Sequence, residues 1–345
     1  MKKRLPIYSA ICWLLIGCSD TNQSNQNKDG AITVRIASLF NQDHYLGIKL
    51  DWIAAELDKR SNGQLQCKVF HGGSAGGEKE NLEDLLLGNL EIMAGAGSYF
   101  YQYCPEATVL ELPLYGWKDL QEARSVIRAH WSEFVSVSES KGFFPVALDL
   151  RDYWGVFYKH PIKSLDEIRN AKFRSVNAQL WIELTKLHGA IPNPMPYADA
   201  YLAFKTGVSD GVLSSVTNAT SANWHEILKC YLDTRLVLSE SFTLTSKKWI
   251  SSLPADLRRL VLEVCEESED VNLQEVSKQY QLGRRKMAEA GVTFIELEQL
   301  ELAELKQKAF AFRDTYMKSK GAVVYDFYQK WIKHVEEKTG RPQKM

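Results

Sequence analysis

AITVRIASLFNQDHYLGIKLDWIAAELDKRSNGQLQCKVF, residues 31–70, carries two periodicities in succession. Ala31 to Ala37 alternates apolar and polar residues as a strand does, and Tyr45 to Lys59 repeats apolar residues at helical spacing. Leu65 to Phe70 reads as a second strand. Gly72 to Gly77 is a glycine-rich turn, Glu78 to Leu87 a helix stopped by Gly88, and Leu90 to Ala94 a third strand. Such alternation predicts a mainly parallel sheet covered by helices, an α/β fold. The pattern resumes with Phe144 to Leu150, Gly155 to Tyr158, Lys172 to Val176 and the amphipathic helix Gln179 to His188, which implies a second α/β lobe. From Ala255 to Ala290 the chain is nearly uninterrupted helix-forming sequence, long enough to lie across both lobes. Leu300 to Lys320 and Tyr325 to Lys338 add two terminal helices.

The N-terminal residues decide the compartment. Lys2, Lys3 and Arg4 precede the apolar run Ile7 to Ile16, which is short for a membrane span and reads as a signal peptide. The run ends Leu15-Ile16-Gly17-Cys18, which resembles a bacterial lipobox, so residues 1–17 are expected to be removed and Cys18 acylated. Ser19 points to the outer membrane by analogy with Gram-negative sorting. Residues 18–30 are polar and read as a flexible tether. With 42 basic and 43 acidic side chains, nothing suggests a nucleic-acid surface or a polybasic membrane patch. Cys67, Cys104, Cys230 and Cys265 match no metal-site spacing and are expected to be buried thiols. No cofactor or metal is expected.

Gly72-Gly73-Ser74-Ala75-Gly76 matches G-x-S-x-G between a strand and a helix, as a nucleophile elbow requires. A serine esterase is the rival reading. His160, His188, His225 and His334 supply no matching Asp/His pair at later strand ends, so the glycines are read as serving a tight strand-to-helix turn.

The most specific stretch runs from Pro161 to Glu226. It holds Pro161-Ile-Lys-Ser-Leu-Asp-Glu-Ile-Arg-Asn-Ala-Lys-Phe-Arg174, Pro194-Met-Pro-Tyr197-Ala-Asp199-Ala-Tyr-Leu-Ala-Phe204, Gly207-Val-Ser-Asp210-Gly211 and Trp224-His-Glu226. Pro105-Glu106-Ala107, Leu112-Pro113 and Leu253-Pro254 fit the same order. Together these resemble the solute receptors of tripartite ATP-independent periplasmic (TRAP) transporters, the DctP family. The resemblance implies a type II-like periplasmic binding protein: two α/β lobes, hinge strands and a long helix spanning both. It implies a small carboxylate-bearing ligand, a membrane permease as partner and no catalysis; together with the lipobox-like segment, a lipid-anchored periplasmic receptor is expected. Residues 31–150 with about 237–280 are expected to form one lobe, and 151–236 with about 281–345 the other.

Arg174 stands at the family's signature arginine, and its planar fork suits a carboxylate. Tyr197 takes the place of an aromatic ring against the ligand, and Ser214 that of a common asparagine. Trp154 replaces the second arginine of sialate-binding relatives; Arg151, three residues earlier, is out of that register and is not assigned to the pocket. Tyr99 and Ala96 stand where sialate receptors are charged, so sialic acid is disfavoured and Tyr99, Trp154 and Tyr197 become candidate walls. Asn177 and Asn218 are further candidates, each also suited to a cap or turn. A receptor serving a sensor kinase or an ABC importer would present the same site.

Overall fold

The computed structural model describes residues 30–343. The expected signal peptide, Cys18 and all of the tether but Gly30 lie outside the described residues. Eleven strands form two sheets among the described residues. The first sheet has the order β2-β1-β3-β10-β4, from β1 (Ile32–Ala37), β2 (Leu65–Phe70), β3 (Ile92–Ala96), β4 (Phe143–Asp149) and β10 (Ser241–Ser246). The second has the order β11-β9-β5-β8-β6-β7, from β5 (Tyr153–Tyr158), β6 (Lys172–Ser175), β7 (Ile191–Pro194), β8 (Gly211–Ser215), β9 (Cys230–Leu238) and β11 (Thr293–Ile295).

Neither sheet is as parallel as the β-turn-α alternation predicts. β1, β2 and β3 are parallel, but β10 runs antiparallel between β3 and β4. In the second sheet β5 is antiparallel to both β8 and β9. The cause is topological. β4 joins β5 through Leu150–Asp152, and β9 joins β10 through Ser239–Glu240. A strand entering from the other lobe without a crossover helix arrives from the opposite end, so it pairs antiparallel.

The third passage between the sheets is the helix Ala255–Glu289, 35 residues long. Its first half buries Leu257, Val261, Val264 and Cys265 against Leu50, Ile53 and Leu57 of the helix Tyr45–Arg60. Further along, Gly283 meets the second lobe. A Cβ there would lie 2.9 Å from Val216 Cγ1 and 3.0 Å from Thr220 Oγ1, so the close approach to the helix Val216–Ser221 requires glycine.

The last helix departs from the expected grouping with the second lobe. Gln299–Ser319 packs on Gln179–Leu187, but Ala322–Thr339 turns back onto Pro105–Glu111 and Leu120–Arg128 of the first. Its aromatic face explains this, because Phe327 and Trp331 meet the rings of His130 and Phe134 edge-on or tilted. The buried Arg313 guanidinium ties the same region together by donating to the carbonyls of Pro113 and Leu114. Cys104, Cys230 and Cys265 are buried free thiols, and Cys67 is half-buried.

Candidate functional site

A cleft of about 580 Å³ opens between the lobes and is lined by residues of both, with Arg151 of the passage Leu150–Asp152 among them. Tyr99, Trp154, Arg174, Asn177, Tyr197, Ser214 and Asn218 all line it, with Phe40, Glu78, Glu111, Arg151 and Met195.

Arg174 is the third residue of the short strand β6, where Phe173 turns inward to the core and the guanidinium reaches the cleft. It is 4% exposed and hydrogen-bonds no carboxylate among the described residues. Its Nη2 donates to the Met195 carbonyl at 3.1 Å, Nε is buried without a partner, and the charge lies 6.0 Å from the centre of the Tyr197 ring. Burial lowers its pKa to about 10, so it stays charged at neutral pH while lacking the anion that usually offsets such burial.

Tyr197 connects the lobes. Its ring meets Phe40 of the first lobe edge-on at 5.6 Å and Trp224 of the second at 5.1 Å, and its hydroxyl donates to the Asn218 carbonyl at 3.3 Å. Asn218 lies in a helix whose N-terminus is capped by Ser215, which leaves its own side chain for the cleft. The Asn218 Oδ1 sits 3.4 Å from His44 Nε2, another contact across the lobes. Ser214 is buried on β8 without a protein partner for its hydroxyl among the described residues. Asn177 is exposed at the rim, where its carbonyl meets Gln102 at 3.5 Å. Tyr99 is half-buried beside Glu78 and Arg174.

Trp154 is more core than wall. It is 7% exposed and stacked on Trp181 with ring centres 3.8 Å apart, so one indole face is already covered. Trp154→Ala is expected to destabilise the fold by about 3–5 kcal/mol, the range for truncating a buried aromatic, measured by chemical denaturation.

Three groups escaped the sequence reading. Arg151, 7% exposed in the passage between β4 and β5, lines the cleft with Nε on Ser241 Oγ and Nη2 on the Gly95 carbonyl, both at 3.1 Å. Desolvation opposes its charge, but Tyr45, Glu111, Asp149 and Glu78 outweigh it and raise the pKa. Glu111, 2% exposed, accepts from Ser239 Oγ at 2.8 Å, Trp181 Nε1 at 2.9 Å and Ser98 Oγ at 3.1 Å. Glu78 opens the helix Glu78–Leu87 and accepts from the N–H groups of Gly97 and Tyr99. A lone acid inside the apolar run Val109–Leu114, and the charged Arg151-Asp152 directly after a strand, were the available signals.

Burial pushes the Glu111 pKa up to about 7 against the pull of Arg151, Ser239 and Trp181. A carboxyl with a raised folded pKa contributes stability that is full below its unfolded value near 4.5 and is lost as pH climbs toward 7. The wild type is therefore expected to lose stability between about pH 4.5 and 8, and Glu111→Gln to lack most of this loss, so the variant gains on the wild type as pH rises. Denaturant titrations at the two pH values test this.

The Ser74 turn has no catalytic geometry. Gly72, Gly73 and Gly76 hold positive φ, Ser74 is exposed, and His71 Nε2 is taken by Asp51 Oδ1 at 2.9 Å. Ser74 Oγ has no bond to that ring.

The fold has counterparts among known proteins. A Bradyrhizobium TRAP periplasmic solute binding protein, solved in complex with α/β-D-galacturonate, superposes with a TM-score of 0.79 at 25% identity, covering 87% of this chain and 99% of that one. A solute-binding protein of Verminephrobacter eiseniae is 23% identical over 76% of this chain and 79% of its own. The sialic acid-binding periplasmic protein SiaP of Vibrio cholerae is 24% identical over 66% of this chain and 71% of its own. Residues 36–320 match the family described as DctP, bacterial extracellular solute-binding protein, family 7. The two-lobed fold, the interlobe cleft and this match over most of the chain make the protein a member of the DctP family of TRAP solute-binding receptors.

Proposed function

We propose that this protein captures a small organic acid between its lobes, holds the carboxylate at Arg174 and delivers it to the membrane permease of a TRAP-type transporter. Acylation of Cys18 would tether it at the periplasmic side of a membrane, with the outer membrane favoured by Ser19. The observation that carries the reading is the buried Arg174 guanidinium, which hydrogen-bonds no carboxylate among the described residues and lines a cleft between two lobes. An anion entering there meets two parallel donors and, once water is excluded, an attraction stronger than in solvent. The lobes would close because the ligand makes better contacts in the closed form.

A thermal-shift screen of the full chain against sugar acids, dicarboxylates, aromatic acids and zwitterions tests this. A ligand at a hundred times its dissociation constant stabilises by about 2.7 kcal/mol, enough to see. A carboxylate hit that disappears in Arg174→Ala supports the reading. Stabilisation only by compounds without a carboxylate would overturn it.

A further inference from the structure

The passages between the two sheets serve two separate spaces. Arg151 turns from Leu150–Asp152 into the cleft, where its Nε meets Ser241 Oγ, while Asp152, Tyr153 and Leu238 line a second groove, of about 620 Å³, that has no lining residue in common with the cleft. Three bodies wall this groove. They are Lys118 to Gln121 at the start of the helix Leu120–Arg128 in the first lobe, Tyr153 and Arg235 in the second, and one side of the long helix from Leu273 to Gln281. Leu238, Leu273 and Val276 give it an apolar lining, and the half-buried rings of Tyr153 and Tyr280 add to that surface.

Arg235 reaches the groove at a conformational cost. In β9, Leu232 pairs with Val156 and Val237 with Trp154, so the strand bulges between them, and Arg235 sits in that bulge with φ 46°. Left-handed backbone is unfavourable for a side chain of this size and persists only where the surroundings enforce it. Here the N–H of Leu114 in the first lobe, itself at φ 71°, donates to the Leu236 carbonyl at 2.8 Å and pins the bulge from across the lobes. The result is an exposed guanidinium 4.5 Å from the centre of the Tyr153 ring. Lys118 is exposed on the other lobe's wall. The two acids of the lining are otherwise engaged. Asp119 Oδ1 caps the helix by accepting from the Glu122 N–H at 2.8 Å, and the buried Asp152 accepts from the N–H and the hydroxyl of Thr217. A molecule that complements this groove has an apolar body and a negative head. We propose that the groove is a second binding site, separate from the acid cleft, for an amphiphilic anion: a compact ring system bearing one acidic group, its body against Leu273, Tyr153 and Tyr280 and its head held by Arg235 and Lys118.

Naphthalene-2-sulfonate is the probe, with 2-naphthol as its uncharged match. By calorimetry on the full chain, the sulfonate is expected to bind saturably and about tenfold or more tighter than the naphthol, a difference of roughly 1.4 kcal/mol. Arg235→Asn should weaken the sulfonate by about tenfold. Asparagine tolerates left-handed backbone, so that variant keeps the bulge while losing the charge. Lys118→Gln changes only an exposed side chain and should weaken binding by about threefold, the scale of one solvent-exposed charge pair. Arg174→Ala separates the two sites, because the sulfonate should still bind when the cleft has lost its arginine. The proposal is overturned if the sulfonate does not bind, if the naphthol matches it, or if Arg235→Asn and Lys118→Gln both bind it like the wild type. It is also overturned if Arg174→Ala abolishes binding, which would put the probe in the cleft. Acid capture at Arg174 is scored by its own thermal-shift screen, so the two readings stand or fall separately.

Discussion

Arg174→Ala is expected to weaken acid binding by roughly 2–5 kcal/mol, the cost of truncating one partner of a buried hydrogen-bonded charge pair. The same change should not lower the stability of the ligand-free protein. In the empty cleft the guanidinium is a buried charge with one carbonyl contact and a pKa lowered by desolvation, so its removal relieves a penalty. Binding and stability thus move independently, which an ordinary ion-pair arginine would not allow. Arg174→Lys should fall between wild type and alanine, since it keeps the charge and loses the fork. Calorimetry for affinity and denaturant melts for stability, run on all three proteins, check this. A large loss of apo stability in Arg174→Ala would mean that the residue is a structural support.

Lys49→Met is expected to destabilise the protein by about 3–5 kcal/mol, because it strands a buried carboxylate. Lys49 Nζ lies 2.6 Å from Asp149 Oδ1 with both side chains fully buried, and it also donates to the Leu148 carbonyl. Asp149 further accepts from the Gly95 N–H at 2.6 Å and from Thr243 Oγ1 at 2.7 Å. Since the Gly95 carbonyl holds Arg151, loss of this pair should also disturb the Arg151 side of the cleft. Replacing both partners with apolar residues should recover much of the stability, because no charge is then left unpaired. Urea titration of the single and double variants tests the pair, and a single variant as stable as wild type would refute the expected coupling.

Arg174 was legible because a short motif places it at a strand end, and Tyr197 and Ser214 followed from the same ordering. Arg151 was not. Strand periodicity separates it from Trp154, but it precedes β5 and lies in the passage between lobes, where alternation no longer says which way a side chain turns. Glu111 was hidden for a related reason: its neighbours Trp181 and Ser239 are distant in sequence and are joined to it only by the packing of two lobes. The helices and most strands of the first lobe carried their own periodicity. The antiparallel strands did not announce their direction, because it is set by which lobe the chain comes from. The C-terminal helix was misgrouped because an apolar face in sequence does not say which partner it covers.

The helix Ala255–Glu289, about 52 Å long at 1.5 Å per residue, is a lever as well as a support. Near its middle, Glu269 and Asn272 accept from the N–H groups of Leu148 and Leu150, gripping the chain just where the passage to the second lobe begins. Its far arm rests on Val216 and Thr220 across Gly283. A tilt of about 10° at the grip would carry the exposed Glu289 at the helix's end by roughly 5 Å, given about 28 Å of helix between them. Small rotations at a buried ligand would then be written large on the outer surface, where another protein could sense an occupied cleft without touching its contents.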